Sequence, residues 1–128
     1  MILDSSAVVA VVLREPGFEE LIDRLDAASV AGIGAPTLAE AGVVLAARLG
    51  RDPRGILARL LQEMEIETVP FGEAHWQETV EAYRRFGKGK HPASLNFGDC
   101  MAYATAQLAE QPLLCTGREF GKTDLELA

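Results

Sequence analysis

Four short apolar runs alternate with helical patterns along this chain, and that alternation leaves few architectures open to it. The runs are "MIL" (1–3), "SVAGIGAP" (29–36), "IETVPF" (66–71) and "PLLCT" (112–116). The first two and the last read as buried strands, and "IETVPF" alternates as a strand ending at Pro70. Between them, "SSAVVAVVLRE", "FEELIDRLDAA", "PTLAEAGVVLAARLG", "DPRGILARLLQEME", "GEAHWQETVEAYRRFG" and "NFGDCMAYATAQLA" carry helical spacing or helix punctuation. Strands interleaved with helices predict an α/β domain on a largely parallel sheet. At 128 residues, one such domain occupies the chain and buries roughly two thirds of its unfolded surface.

The local signals add detail. Ser5 or Ser6 can N-cap the first helix, Pro36 suits the first turn of the third, and Gly50 stops it. Trp76, Val80 and Tyr83 mark the apolar side of the fifth helix, with Trp76 a packing residue. "SAVVAVVL" is more apolar than one core face requires, so part of it is expected at a subunit or partner interface. "GKGKHPASLN" (87–96) is a loop by every signal.

Charge narrows the function classes. The net charge of −7 argues against a surface that coats nucleic acid indiscriminately. Eight of the twelve basic residues nevertheless fall in two segments, Arg48, Arg51, Arg54 and Arg59 in one and Arg84, Arg85, Lys88 and Lys90 in the other. Either is compatible with a local anion-binding surface. No run approaches the ~18 apolar residues of a membrane span, and "MILDSS" lacks the features of a signal peptide, so a cytoplasmic protein is expected. Cys100 and Cys115 make neither a disulfide framework nor a zinc motif and read as buried reduced thiols. His75 reads as a boundary histidine; His91 sits in the basic loop without a partner that would make it a base.

Three acids stand where a structural role explains them incompletely. In a parallel sheet, ligands collect beyond the carboxyl ends of the strands, at a switch in strand order. Asp4 ends the first strand, Glu40 projects from a stripe of Pro36, Thr37, Val43 and Val44, and Asp99 opens a helix whose face continues as Ala102, Tyr103 and Ala106. Each has an ordinary alternative as a cap or as a partner of the helix dipole. Together they form a carboxylate cluster that repels itself unless a cation neutralises it. Oxygen ligands select hard ions such as Mg²⁺ or Mn²⁺, and such an ion facing a phosphodiester promotes hydrolysis.

The order "MILDSSAVVAVVLREP", "APTLAEAGVVLAARLG", "HPASLNFGDCMAYATA", "LLCTGREFGKTDL" resembles the PIN-domain ribonucleases, in particular the VapC-type toxins of type II toxin–antitoxin pairs. The likeness spans essentially the whole chain and is most specific in "LNFGDCMAYATA". It implies a PIN-like α/β/α sandwich with a four- or five-stranded, mainly parallel sheet. It also implies a Mg²⁺- or Mn²⁺-dependent endoribonuclease that cuts structured RNA (tRNA or rRNA) to leave 5′-phosphate and 3′-hydroxyl ends, a homodimer, and a VapB-type antitoxin that covers the site. The family's acids fall on Asp4, Glu40 and Asp99 as metal ligands. Relatives often carry two aspartates where "GREF" has Arg118 and Glu119, so the fourth acid is Glu119 or, alternatively, Asp124. Thr116 in the same motif can position a water or a phosphate. The "GREF" departure leaves a second reading open, a PIN-fold interaction module without cleavage. Two other doubly wound classes fail on their own motifs: "DSS" lacks the second acid of the haloacid dehalogenases, and no receiver-type acidic pair with a late lysine is present.

Overall fold

The computed structural model describes residues 1–128 and contains four strands and six α-helices in alternating order. The strands are β1 (Ile2–Leu3), β2 (Ala31–Gly34), β3 (Ile66–Val69) and β4 (Leu113–Leu114); the helices are α1 (Ser5–Leu13), α2 (Phe18–Ala27), α3 (Ala35–Leu49), α4 (Arg54–Glu63), α5 (Glu73–Phe86) and α6 (Phe97–Ala109). All neighbouring strands pair in parallel, in the order β3-β2-β1-β4. The four-stranded parallel sheet and its helical layers are those expected from the sequence.

Alternate residues of each strand feed opposite layers. Leu3, Ile33 and Leu114 join the core made with α1 to α4, whereas Ile2 and Leu113 join the core made with α5 and α6. Chain order therefore steps outward from β1 through β2 to β3 beneath one layer, then returns through α5 and α6 beneath the other to place β4 on β1's free side. The switch in strand order consequently lies between β1 and β4, where a crevice opens at the carboxyl edge. A short C-terminal segment finishes the outer edge of β4. Leu127 bridges Leu113 in parallel, with the Leu113 N–H donating to the Glu126 carbonyl at 2.9 Å. That covers backbone groups an edge strand would leave unpaired.

One packing expectation is corrected and another is met in part from within the fold. Helix α1 buries Ala7, Val8, Val9 and Ala10, and Val11, Val12 and Leu13 pack on the same core while staying partly exposed. Contact with both α2 and α3 gives it more than one covered face. Helix α5 does the reverse. It buries Thr79, Ala82 and Phe86, while Trp76 and Val80 are each 52% exposed and Tyr83 is 42% exposed. Close packing against α6 selects the small side of α5, and the Trp76 indole N–H donates to the Glu73 carboxylate instead, at 3.0 Å.

Helix α6 lies close to the sheet because its inner face is small. Ala102, Ala104 and Ala106 are fully buried, and a Cβ placed on Gly34 of β2 would fall 2.7 Å from the Thr105 hydroxyl. Only glycine leaves room for the helix at that strand end.

Candidate functional site

Asp4 follows β1 directly and performs the capping role assigned in the sequence to Ser5 or Ser6. Its backbone is extended (φ −82°, ψ 159°), and its Oδ2 accepts from the Ser6 N–H at 3.2 Å and from the Ser6 hydroxyl at 2.6 Å. The side chain is nonetheless 3% exposed, and its other oxygen, Oδ1, is buried with no hydrogen-bond partner. A cap needs one oxygen, so the second is surplus to it and costly as it stands. Burial raises the Asp4 pKa against the lowering effect of the Ser6 bonds, and the Glu40 charge raises it further. Ser6 also ties two strand ends together, because its hydroxyl oxygen accepts from the Thr116 N–H beyond β4 at 3.0 Å. The Thr116 hydroxyl makes no such link. Ser6 was legible only as a cap; its place between Asp4 and β4 requires the fold.

Glu40 lies on α3, which begins where β2 ends. The stripe read around it is only partly internal: Thr37 is buried, but Val43 is 71% exposed. The carboxylate instead lies over the first turn of α6. A Cβ on Gly98 would fall 2.9 Å from its carboxyl carbon, so the glycine before Asp99 is the space Glu40 occupies. The Thr37 hydroxyl, one turn ahead of Glu40, is likewise buried and unpartnered.

Asp99 combines both roles considered for it. With Asn96 it forms a reciprocal capping box: the Asn96 side chain accepts from the Asp99 N–H at 2.8 Å, and Asp99 Oδ2 accepts from the Asn96 N–H at 3.1 Å. A plain cap near a helix dipole would have a low pKa. Here the pKa rises to about 6, mainly through burial and then through the charges of Asp4, Glu119 and Glu40, with the Asn96 bond opposing. Four carboxylates drawn from three strand ends and one helix start thus act on one another.

Of the two alternatives for the fourth acid, Glu119 is the one whose charge reaches Asp99. Its Oε2 accepts from the Arg118 N–H at 3.1 Å. Asp124 is occupied elsewhere. It accepts from the Tyr103 hydroxyl at 2.6 Å and from Arg85 at 3.0 Å, and these partners hold its pKa below the usual carboxylate range.

The donor set fits a hard divalent cation: oxygen ligands only, several negative charges and one buried oxygen with no partner. The cluster is open, since no three His, Cys, Asp or Glu side chains close around one point. Mutual repulsion favours that spread arrangement.

The remaining candidates add no carboxylate to this edge, although Cys100 and Cys115 feel its charge. His75 and His91 each use Nδ1 to accept a backbone N–H within their own loop or turn, from Gly72 at 3.1 Å and Ala93 at 3.0 Å. Cys100 is buried and Cys115 half-buried. Burial pushes their thiols up to about 11 and about 12, which leaves neither a nucleophile at neutral pH. A groove of about 650 Å³ between α3 and α4, lined by Leu38, Val43, Leu57 and Leu61 among others, contains none of the four acids. No helix is long and apolar enough to cross a membrane.

Known proteins match along essentially the whole chain. The family model of the PIN domain matches residues 1–125. Ribonuclease VapC36 of Mycobacterium tuberculosis is 48% identical over 131 residues, covering 98% of this chain and 91% of its own. Ribonuclease VapC28 of the same species is 38% identical over 131 residues, covering 100% and 97%. Among solved structures, the fold matches M. tuberculosis VapC20, described as a sarcin–ricin loop cleaving toxin, with a TM-score of 0.78 at 14% identity over 99% of this chain and 97% of that one. It also matches a toxin–antitoxin complex from Klebsiella pneumoniae, with a TM-score of 0.72 at 17% identity over 99% and 95%.

Proposed function

The chain belongs to the PIN-domain family, in its VapC ribonuclease branch, and from that premise we propose that it is the toxin of a toxin–antitoxin pair, a metal-dependent endoribonuclease acting on structured RNA in the cytoplasm. The carrying observation is the charge coupling of Asp99 with Asp4, Glu40 and Glu119 around a buried, partnerless Asp4 oxygen. Neutralisation by a cation explains why such a cluster persists; folding alone would favour removing it.

Asp4, Glu40 and Asp99 would hold Mg²⁺ or Mn²⁺, with Glu119 as the fourth acid at the rim. When bound, the cation supplies Lewis acidity that polarises a phosphoryl oxygen and eases proton loss from water. The chain's own residues set the geometry. Ser6 engages Asp4 Oδ2 and leaves Oδ1 unpartnered, and the capping box engages Asp99 Oδ2 through Asn96. Hydrolysis adds water across the P–O3′ bond, hydroxyl to phosphorus and proton to the departing 3′ oxygen, leaving 5′-phosphate and 3′-hydroxyl ends. A VapB-type antitoxin as partner and a homodimer as the assembled form complete the reading.

The test is cleavage of total cellular RNA by antitoxin-free protein with Mg²⁺ or Mn²⁺, beside EDTA and Asp99→Asn. Discrete fragments that disappear in both controls support the nuclease. A folded protein that neither cuts RNA nor binds Mn²⁺ through these acids is instead the non-cleaving interaction module.

A further inference from the structure

A second feature adjoins the acid cluster and has no packing role. Phe97, the first residue of α6, is 73% exposed. It belongs to neither hydrophobic core and stacks on no other aromatic ring. A phenylalanine held in water at a helix start costs solvation free energy that a polar residue would avoid. It stands two residues before Asp99, and its neighbour Gly98 lies under the Glu40 carboxylate. Phe97 therefore belongs to the same first turn of α6 whose backbone is held by the Asn96–Asp99 capping box.

The second, independent observation is where the free positive charge lies. Six of the twelve basic side chains form ion pairs with acids of the chain: Arg24, Arg48, Arg54, Arg59, Arg84 and Arg85. Of the six without one, Lys88 and Lys90 lie in the loop leading into α6, and Arg118 and Lys122 lie in the segment following β4 that carries Glu119. The first of these loops is closed at its neck, one residue before Asn96, by the bridge between Gly87 and Leu95, with the Lys88 N–H donating to the Leu95 carbonyl at 2.9 Å. An exposed aromatic residue on the helix start that the Lys88–Lys90 loop leads into, in the same turn as a carboxylate that would hold a metal, has the composition of a single-stranded nucleic-acid platform: cations for phosphates and a ring for one base face. Bases available for that are the unstacked ones of loops and ends.

We propose that Phe97 is a base-stacking residue of the site, receiving an unpaired nucleotide beside the phosphate to be cut, while Lys88 and Lys90 hold the adjoining backbone. This rests on the ribonuclease reading and adds to it the residue that places the substrate.

The experiment uses the full chain carrying Asp99→Asn, so that RNA is bound without being cut, in Mg²⁺. The probe is a fluorescein-labelled single-stranded 12-nucleotide RNA of mixed sequence, read by anisotropy, with a parallel set carrying 2-aminopurine at single positions. Phe97→Ala is expected to weaken binding about 10-fold, within the roughly 5- to 150-fold that loss of a base–aromatic stack produces. Phe97→Trp should bind like the parent, and Phe97→Leu like the alanine variant. Quenching of 2-aminopurine should appear with Phe or Trp at this position and vanish with Ala or Leu. Lys88→Gln with Lys90→Gln should flatten the dependence of log affinity on log salt by about 0.7 for each lysine. Binding by Phe97→Ala within about twofold of the parent, with unchanged quenching, overturns the proposal. So does an effect of Phe97→Ala confined to sedimentation, which would make Phe97 a protein contact. If the wild-type chain neither binds nor cuts RNA, the ribonuclease reading fails first and takes this one with it.

Discussion

The carboxyl edge of the sheet and the next turn of α6 treat the same side chain in opposite ways. At the edge, Asp99 is crowded by three other acids and its pKa rises to about 6. One turn along α6, Asp124 is gripped by the Tyr103 hydroxyl and Arg85 and its pKa falls. Both aspartates lie in motifs the sequence marks as candidates, and composition does not distinguish them. One environment satisfies its charge from within the chain; the other leaves negative charge to be satisfied from outside. That asymmetry, more than the presence of acids, separates a ligand site from a structural one.

The comparison breaks first, and most visibly, in catalysis. Asp99→Asn keeps an acceptor for the Asn96 N–H, so the capping box survives while the charge is lost; RNA cleavage should fall by at least about 100-fold, more than the loss of an outer-shell partner would produce. Asp124→Asn should leave cleavage within about twofold of the wild type, measured on the same RNA. A comparable loss in both variants would show that the fold, and not the cluster, was being tested.

Ser6→Ala ranks next. It removes the 2.6 Å bond to Asp4 and the tie to Thr116, and should weaken Mn²⁺ binding by about 10- to 100-fold, as loss of an outer-shell partner does. Calorimetric titration checks this without reference to activity.

Stability gives the comparison opposite signs. Asp124→Ala strands the hydroxyl of the fully buried Tyr103 and should cost about 1–3 kcal/mol in urea unfolding. Asp99→Asn, in EDTA at neutral pH, should stabilise by on the order of 1 kcal/mol, after discounting the raised pKa for the carboxylate's partial exposure.

The smallest effect is the pH dependence. Because the Asp99 pKa is raised on folding, the native state holds its proton where the unfolded chain has released it, so metal-free stability should decline as pH rises from about 4 to about 6. Asp124, depressed, contributes in full above the unfolded carboxylate range and loses its contribution as pH falls through its lower folded value. Saturating Mg²⁺ should abolish the first slope and leave the second. A metal-free protein with no slope between those values would mean that Asp99 does not feel its neighbours.

What the chain discloses before folding follows from how local each signal is. The alternation of "MIL", "SVAGIGAP", "IETVPF" and "PLLCT" with helical segments is local, and all four strands and six helices form where it places them. Asp4, Glu40 and Asp99 are separable because each follows a strand or opens a helix at the edge where a parallel sheet collects its ligands. The failures are of another kind. Trp76, Val80 and Tyr83 have core spacing, yet α6 takes the opposite, smaller side of α5 because alanines on one helix admit only a close partner. The Arg48–Arg59 cluster looks basic in sequence, but Glu15, Asp52 and Glu63 pair with three of its four arginines. The fate of Asp124 depends on Arg85, 39 residues away. Each miss concerns a partner that only the tertiary structure supplies.

Gly98 gives the site a vulnerability that its acids alone do not reveal. The position contributes no functional group, yet its lack of a side chain is what lets the Glu40 carboxylate lie against α6. Any other residue there must push a carboxylate aside while leaving all four acids in the sequence. Mutational scanning should therefore show position 98 as intolerant as an acid, and an inventory of charged residues would pronounce such a variant intact. A change from a glycine to an alanine codon needs only one base, so the genetic route to a disarmed chain through a residue with no chemistry of its own is as short as the route through an acid.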